Sequence, residues 1–312
     1  MAAKQSSSSC LSFLKEALLL PTRNPKLFGP VFLLVVIPTL LINITNVLFI
    51  QPLSEDILFD INKIKNTDPS SSEYARLMEE MMKEVRELLV IAIVMSVTAV
   101  VFSFIKQIVA LFAASTTYSG DRYSIAELIS KVIMKGHRIQ GPLITMAMVS
   151  ALEFACVLLL GILVQQLMRQ FSMGVIFLFV FQTLAVLYLN IVFGVTVAVT
   201  VADTERRGVT ALRQAWRLMT QVRRKEGCVL AVVIYLLGAA PSPLYMVALG
   251  LAKKSIAAGL ALLAVYTLLS GAVQIFYFDA AMVYYYQAME TKMAMMADDF
   301  DYVKVPTGEA SV

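Results

Sequence analysis

The 312-residue chain is 59% apolar and 15% charged, with a mean hydropathy of +0.76 and a formal net charge of +4. Soluble globular domains are about a quarter charged, and no soluble core could hide so many Val, Leu, Ile, Phe and Met residues. The apolar residues fall in runs longer than a bilayer's hydrocarbon thickness. A water-soluble enzyme or nucleic-acid-binding module is therefore excluded, and the composition reads as a polytopic membrane protein.

In chain order, the sequence predicts an N-terminal tail with an amphipathic helix over 1–27, a six-span membrane domain over 28–288, and a C-terminal tail over 289–312. The spans are expected at 28–50, 88–112, 142–165, 173–201, 228–250 and 256–288. Lys15, Arg23, Asn24, Pro25 and Lys26 precede the first apolar run. No cleavable signal is expected there, and span one is retained. The sequon Asn43–Thr45 lies inside that span and should be unmodified. The loop at 51–87 carries nine acids against five bases. Its second half reads as a helix continuous with span two, opened by a capping box of Ser70 and Glu73. Leu77, Met81, Val85 and Leu88 then recur at helical spacing, and Glu79 can pair with Lys83. A solvated or headgroup-resting stalk accounts for this segment.

Sidedness follows from Lys and Arg, because positively charged loops resist translocation. Seventeen of the twenty-six lie in the two tails and in the loops after spans two and four. Eight lie in the remaining loops, and Lys106 is inside a span. Both termini are expected to be cytoplasmic.

Aligning the chain on Gly29, Gly141 and Gly227 reveals an ordered repeat. A hydroxyl residue sits seventeen positions before each glycine (Ser12, Ser124, Thr210), and a base three before it (Lys26, Arg138, Arg224). Hydroxyls are good helix N-caps. Each copy then carries an amphipathic stretch: Leu11, Leu14 and Leu18; Ile125, Leu128, Ile129, Val132 and Ile133; and Leu212, Ala215, Trp216 and Met219 flanked by Arg213 and Arg217. Such helices with basic flanks lie in the plane of a leaflet surface. The expected fold is all-α, a six-helix membrane bundle with interfacial amphipathic helices in a threefold helix-plus-hairpin repeat.

LSFLKEALLLPTRNPKLFGPVFLLVVIP at 11–38, GVTALRQAWRLMTQVRRKEG at 208–227 and DDFDYVKVP at 298–306 resemble a plant family of uncharacterised six-span membrane proteins. The Ala-Trp-Arg-Leu at 215–218 is also similar to the membrane domain attached to some bacterial glycerophosphodiester phosphodiesterases. Those enzymes do their chemistry in a separate soluble barrel, for which this chain has no room. The resemblance implies a topology and transfers no catalytic residues.

The single histidine, His137, sits in a basic flank, where an interfacial base is the simplest reading. No HExxH site, no Ser–His pair and no Cys/His cluster can be assembled, so no enzyme activity, metal or cofactor is expected. The acids within apolar runs are Glu153 and Asp279. Asp279, among Tyr277, Tyr284, Tyr285 and Tyr286, reads as part of an interfacial aromatic belt. An ionisable residue at the bilayer centre costs roughly 2.5–3.5 kcal/mol on insertion scales. Lys106 and Glu153 therefore form a candidate intramembrane pair, against the simpler account that Lys106 snorkels and Glu153 is protonated or hydrogen-bonded. Gly238, Pro241 and Pro243 interrupt span five, and Pro38 interrupts span one. Cys10 and Cys228 are candidates for palmitoylation at the membrane border, Cys156 is inside span three, and no disulfide is expected.

Two functions compete. One is a non-enzymatic membrane organiser or trafficking-related protein of the endomembrane system or plasma membrane, using the interfacial residues Trp216, Arg213, Arg217, Arg223 and Arg224 against an anionic lipid surface. The other is a small-molecule or ion carrier using Lys106, Glu153, Gln182, Asn190 and the break in span five.

Overall fold

The computed structural model describes residues 11–134, 137–169 and 173–301, with side chains except at 132–138 and 297–301. Cys10 and the side chain of His137 lie outside the described residues. Eleven α-helices and two π-helical turns account for nearly all of the described chain, with no strand among the described residues. Helix α1 is Ser12–Arg23, and α2 (Pro25–Thr45) runs through a π turn at Asn46–Ile50 into α3 (Gln51–Asn66). Then come α4 (Ser72–Tyr118), α5 (Ile125–Met134), α6 (His137–Arg169) and α7 (Met173–Ala202). Helix α8 (Val209–Arg217) continues through a second π turn, Leu218–Val222, to α9 (Arg224–Ala239), α10 (Ser242–Ala252) and α11 (Ile256–Asp301). The order of short helix followed by spanning hairpin occurs three times, at α1, α5 and α8, as the repeat predicts.

Six helical stretches are long and apolar enough to cross a membrane: Pro25–Asn66, Ser72–Tyr118, Ile139–Arg169, Met173–Ala202, Arg224–Ala252 and Ile256–Met296. At 1.5 Å per residue the 47-residue α4 is about 70 Å long, more than twice a ~30 Å hydrocarbon core. Its excess is the stalk foreseen from sequence. The first half of 51–87, expected as loop, is instead helix α3. Pro52 occupies its first turn, where a missing N–H costs nothing, and Leu53, Ile57, Asp60, Ile61 and Ile64 turn inward at helical spacing. The cap of α4 is also corrected. Ser71 Oγ accepts from Tyr74 N–H at 3.1 Å, while Ser70 donates its N–H and hydroxyl to Asp68. Those two bonds hold the Asp68 carboxyl below the usual carboxylate range. The stalk's ion pair is Arg76–Glu80, 3.3 Å apart. At the other end, the predicted tail from 289 opens as a continuation of α11 to Asp301.

The chain forms two compact units. Of the described residues, unit one holds those at 11–28, 108–235 and 276–301. Its core is the end of α7, buried at every position from Ile191 to Val201, together with the stretch of α11 from Phe278 to Tyr285, likewise buried all round. Helix α6 packs on α7, and α8 covers α7 at its far end.

Unit two comprises Gly29–Gln107 and Leu236–Ile275. It holds a small cluster of Val47, Ala248 and Leu263, and two amides tie its helices: Asn43 donates to Thr267 Oγ1 at 3.2 Å and Asn46 to the Tyr245 hydroxyl at 3.1 Å. Span five breaks where sequence places it. Proline lacks the N–H that would continue the ladder, so α9 stops before Pro241 and α10 restarts at Ser242.

Candidate membrane-interface site

Helix α1 is apolar on two opposite faces. Phe13, Ala17 and Leu20 are buried, whereas Leu11, Leu18 and Leu19 are exposed, Leu18 by 65%. Of the face expected to lie in the interface, Leu11–Leu14–Leu18, Leu11 and Leu18 are exposed; the stripe that packs on the bundle, Phe13–Ala17–Leu20, is a second apolar face that the sequence reading did not single out. Phe13 meets Tyr284 of α11 edge-on at 6.0 Å. A polar chain reinforces this seat. Gln287 of α11 donates to Glu16 Oε2 at 2.8 Å and accepts from Arg223 Nη1 at 2.8 Å; Glu16 pairs with Arg23, and Arg223 with Glu226. At its C-terminus α1 turns on buried Asn24, whose amide donates to the Tyr123 carbonyl.

The three hydroxyls aligned as caps behave differently. Ser124 caps α5 in a reciprocal box, its Oγ accepting from Glu127 N–H at 3.4 Å while Glu127 Oε2 accepts from Ser124 N–H at 2.8 Å. The Ser124 bonds keep the Glu127 carboxyl below its ordinary value. Ser12 makes no cap, because α1 starts from Leu11 without a side-chain bond. Thr210 sits inside the first turn of α8, accepting from Arg207 N–H and donating to its carbonyl. Gly208 occupies that N-cap at φ 55°, a conformation L-residues with side chains rarely adopt, and donates its N–H to Thr145 Oγ1 of α6 at 2.8 Å. This pins α8 to the bundle.

Helix α8 buries Ala211, Gln214 and Ala215, and its π turn buries Leu218 and Met219. Of the residues expected on one interfacial face, Ala215 and Met219 are buried, whereas Trp216 is 44% exposed, with its ring edge-on to Tyr188 at 6.0 Å. Arg213, Arg217 and Arg224 are exposed. Arg223, grouped with them from sequence, is drawn inward to Gln287 and Glu226, its side chain only 12% exposed. The π turn is stabilised by Tyr284, whose buried hydroxyl donates to the Leu218 and Arg223 carbonyls at 3.1 and 3.2 Å. The aromatic belt expected around Asp279 is corrected accordingly: Tyr284 and Tyr285 are buried, and Tyr286 stacks on Tyr118 at 4.8 Å while sharing a hydrogen bond with Ser115. Asp279 itself is fully buried, and among the described residues neither carboxyl oxygen has a hydrogen-bond partner.

Lys106 and Glu153 fall in different units. In unit two, Lys106 Nζ donates to Gln274 Oε1 at 2.9 Å. In unit one, half-buried Glu153 lies within electrostatic reach of Tyr235 and Tyr277. Tyr235 donates to the Leu187 carbonyl, and Tyr277 to the Asn190 carbonyl. Cys228 is exposed on α9 and Cys156 half-buried on α6. Among the described residues no group of three or more His, Cys, Asp or Glu could hold a metal ion.

Gln287, Tyr284 and Lys292 were not legible as site residues. The available signal was the Tyr-Tyr-Tyr-Gln run at 284–287, polar groups at the end of an apolar span that need internal partners.

These features define a multi-pass membrane protein with short helices fastened at one end of its spanning hairpins. Over residues 8–289 the chain matches the family described as Domain of unknown function (DUF8558), and it belongs to that family. No curated protein and no solved structure matches it.

Proposed function

We propose that the protein is a non-enzymatic membrane organiser that acts on one leaflet, the cytoplasmic one by the Lys and Arg asymmetry, through α1, α5 and α8. The observation that carries this reading is the double apolar face of α1. One face is fastened to the bundle by Phe13, Ala17 and Leu20, and the other presents Leu11, Leu18 and Leu19 outward. A helix so held lies as a wedge at the depth of the headgroups and upper acyl chains, and its insertion area is fixed by the scaffold. The exposed Arg213, Arg217 and Arg224 add attraction to anionic lipid of about 1 kcal/mol each near the surface. The resemblance of 11–38 and 208–227 to plant six-span proteins fits the same helix-before-span plan.

The test is reconstitution of the full chain into vesicles of phosphatidylcholine and phosphatidylserine, imaged by electron cryomicroscopy. Wild type is expected to narrow or tubulate the vesicles, and Leu18→Glu with Trp216→Glu to abolish this while the protein stays inserted. Unchanged vesicle shape with wild-type protein would defeat the proposal.

A carrier is the second reading, favoured by one observation: Asp279 is a buried carboxyl in the core of unit one with no hydrogen-bond partner among the described residues. Proton-driven flux in the same vesicles that disappears in Asp279→Asn and Glu153→Gln would establish it. Wild-type vesicles without flux would remove it.

A further inference from the structure

Beside the second π turn, unit one has a cavity of about 230 Å³, lined among others by Gln214, Arg217, Gln221, Lys292, Met295 and Met296. Two of these side chains are cationic and two are amides, and no carboxylate is among the described residues lining it. Lys292 Nζ reaches Gln214 Oε1 at 3.4 Å, and the Gln214 amide is itself held by Met289 Sδ. Arg206 and Arg217 both lie within electrostatic reach of Lys292. Arg206 has its own acid, Asp203, at 3.0 Å. Arg217 and Lys292 face the cavity with no carboxylate beside them among the described residues lining it, and a bound anion would relieve their repulsion.

The π turn explains why the charges face one space. Its wider helical step carries the chain from α8, where Arg217 is the last residue, to the inward-turned Arg223, and leaves Gln221 exposed at the rim. Single π turns of this kind occur often at functional sites. Apolar groups complete the lining: Leu218 forms the floor, and Met295 and Met296 are about half exposed. The volume falls below the roughly 300–1,000 Å³ typical of sites that enclose a whole drug-sized ligand. It suits a single phosphate-sized headgroup with its attached chains lying outside along the methionines.

We propose that Lys292, Arg217 and the Gln214 and Gln221 amides form a binding site for a terminal phosphate group, supplied either by the monoester headgroup of an anionic lipid or by free inorganic phosphate. Arg217 supplies a planar fork suited to two phosphate oxygens, Lys292 a point charge, and Gln221 an amide donor at the rim. The site deepens the organiser reading and rests on it, since that reading sets this end of α8 and α11 at the headgroup layer. It would then be a contact with chosen lipids, beside helices that press on any lipid.

The full chain is assembled in nanodiscs of phosphatidylcholine with or without phosphatidic acid, and retained lipid is counted by native mass spectrometry. A parallel arm titrates inorganic phosphate against the detergent-solubilised protein by calorimetry. Wild type is expected to retain phosphatidic acid over phosphatidylcholine. Removing one charge as Lys292→Gln or Arg217→Gln should weaken retention about fivefold, and removing both about thirtyfold. Lys254→Gln, in the exposed turn between α10 and α11, should leave it unchanged. Binding of inorganic phosphate as tight as that of the lipid, lost in the same variants, assigns the site to a soluble anion. Retention that Lys292→Gln with Arg217→Gln leaves intact, or no preference for either anion, overturns the proposal. The two readings fail separately: vesicle remodelling that persists in the Lys292 and Arg217 variants leaves the wedge standing, and headgroup retention in Leu18→Glu leaves the pocket standing.

Discussion

Replacing Gln287 with Ala should loosen α1 without unfolding the bundle. The amide joins two charged groups, donating to Glu16 and accepting from Arg223, each at 2.8 Å. Hydrogen bonds to charged partners contribute about 1.5–3 kcal/mol apiece when protected from water. Arg223 is protected, with 12% of its side chain exposed, but Glu16 is 30% exposed and can recover a water. The pair together should then be worth about 2 kcal/mol, or about thirtyfold in a local opening equilibrium. Phe13 and Leu20 remain buried and hold the helix in place, since each buried side chain of this size contributes roughly 1.5–3 kcal/mol. Amide hydrogen exchange in detergent should therefore speed up about thirtyfold over 14–23 and stay unchanged in α5. Phe13→Ala should exceed it, because large-to-small changes of buried Phe cost about 3–5 kcal/mol. Exchange in α1 that does not respond to Gln287→Ala, or that rises equally in α5, would refute this account of how α1 is seated.

Two glycines of unit two make a contrasting pair. A Cβ on Gly259 would lie 2.6 Å from the Ala252 Cα, which cannot move aside, whereas Gly250 faces open space. Gly259→Ala should lower the melting temperature in detergent and Gly250→Ala should hold or raise it, as Ala is favoured over Gly by up to about 1 kcal/mol within a helix; equal shifts would contradict the packing. The Glu127 carboxyl, lowered by Ser124, stabilises the start of α5 above the ordinary carboxylate value of 4.5, and that contribution is lost as pH falls through the depressed value. Protection of the first turn of α5, corrected for intrinsic exchange, should fall on acidification in wild type and be insensitive to pH in Glu127→Gln, whereas Ser124→Ala, which keeps the backbone N–H bond to Glu127, should retain most of the dependence. Asp279→Val removes a buried carboxyl that has no hydrogen bond, and thermal stability should rise by an amount equivalent to about 1–3 kcal/mol; a fall would show that the carboxyl is held by something in the membrane-embedded protein.

The six spans were legible because a bilayer imposes their length and composition directly, and the three short helices because basic flanks and hydroxyls recur before each hairpin. Which face of α1 packs was not. Lipid is as apolar as leucine, so Leu11 and Leu18 against lipid look the same in sequence as Phe13 and Leu20 against protein. The same ambiguity misplaced Ala215 and Met219, which are buried beside an exposed Trp216. Asp279 and the tyrosines at 284–286 were read as interfacial from their polarity, whereas α11 is enclosed all round from Phe278 to Tyr285, Tyr286 finds its partners on α4, and Tyr284 finds its own at the second π turn. Arg223 counted as a surface charge until the partners on α9 and α11 were known. Periodicity reports how apolar a face is, and partners distant in sequence decide what covers it.

The contact between Glu16 and Gln287 joins positions 271 residues apart. A ribosome would finish the docking face of α1 long before it made the residues that receive it. Phe13, Ala17 and Leu20 must wait, exposed or borrowed by lipid or a chaperone, until α11 is in the membrane. The first helix is thus the last to find its place, and any chain that stops short of Gln287 presents that face to the cell's quality control as a mark of incompleteness.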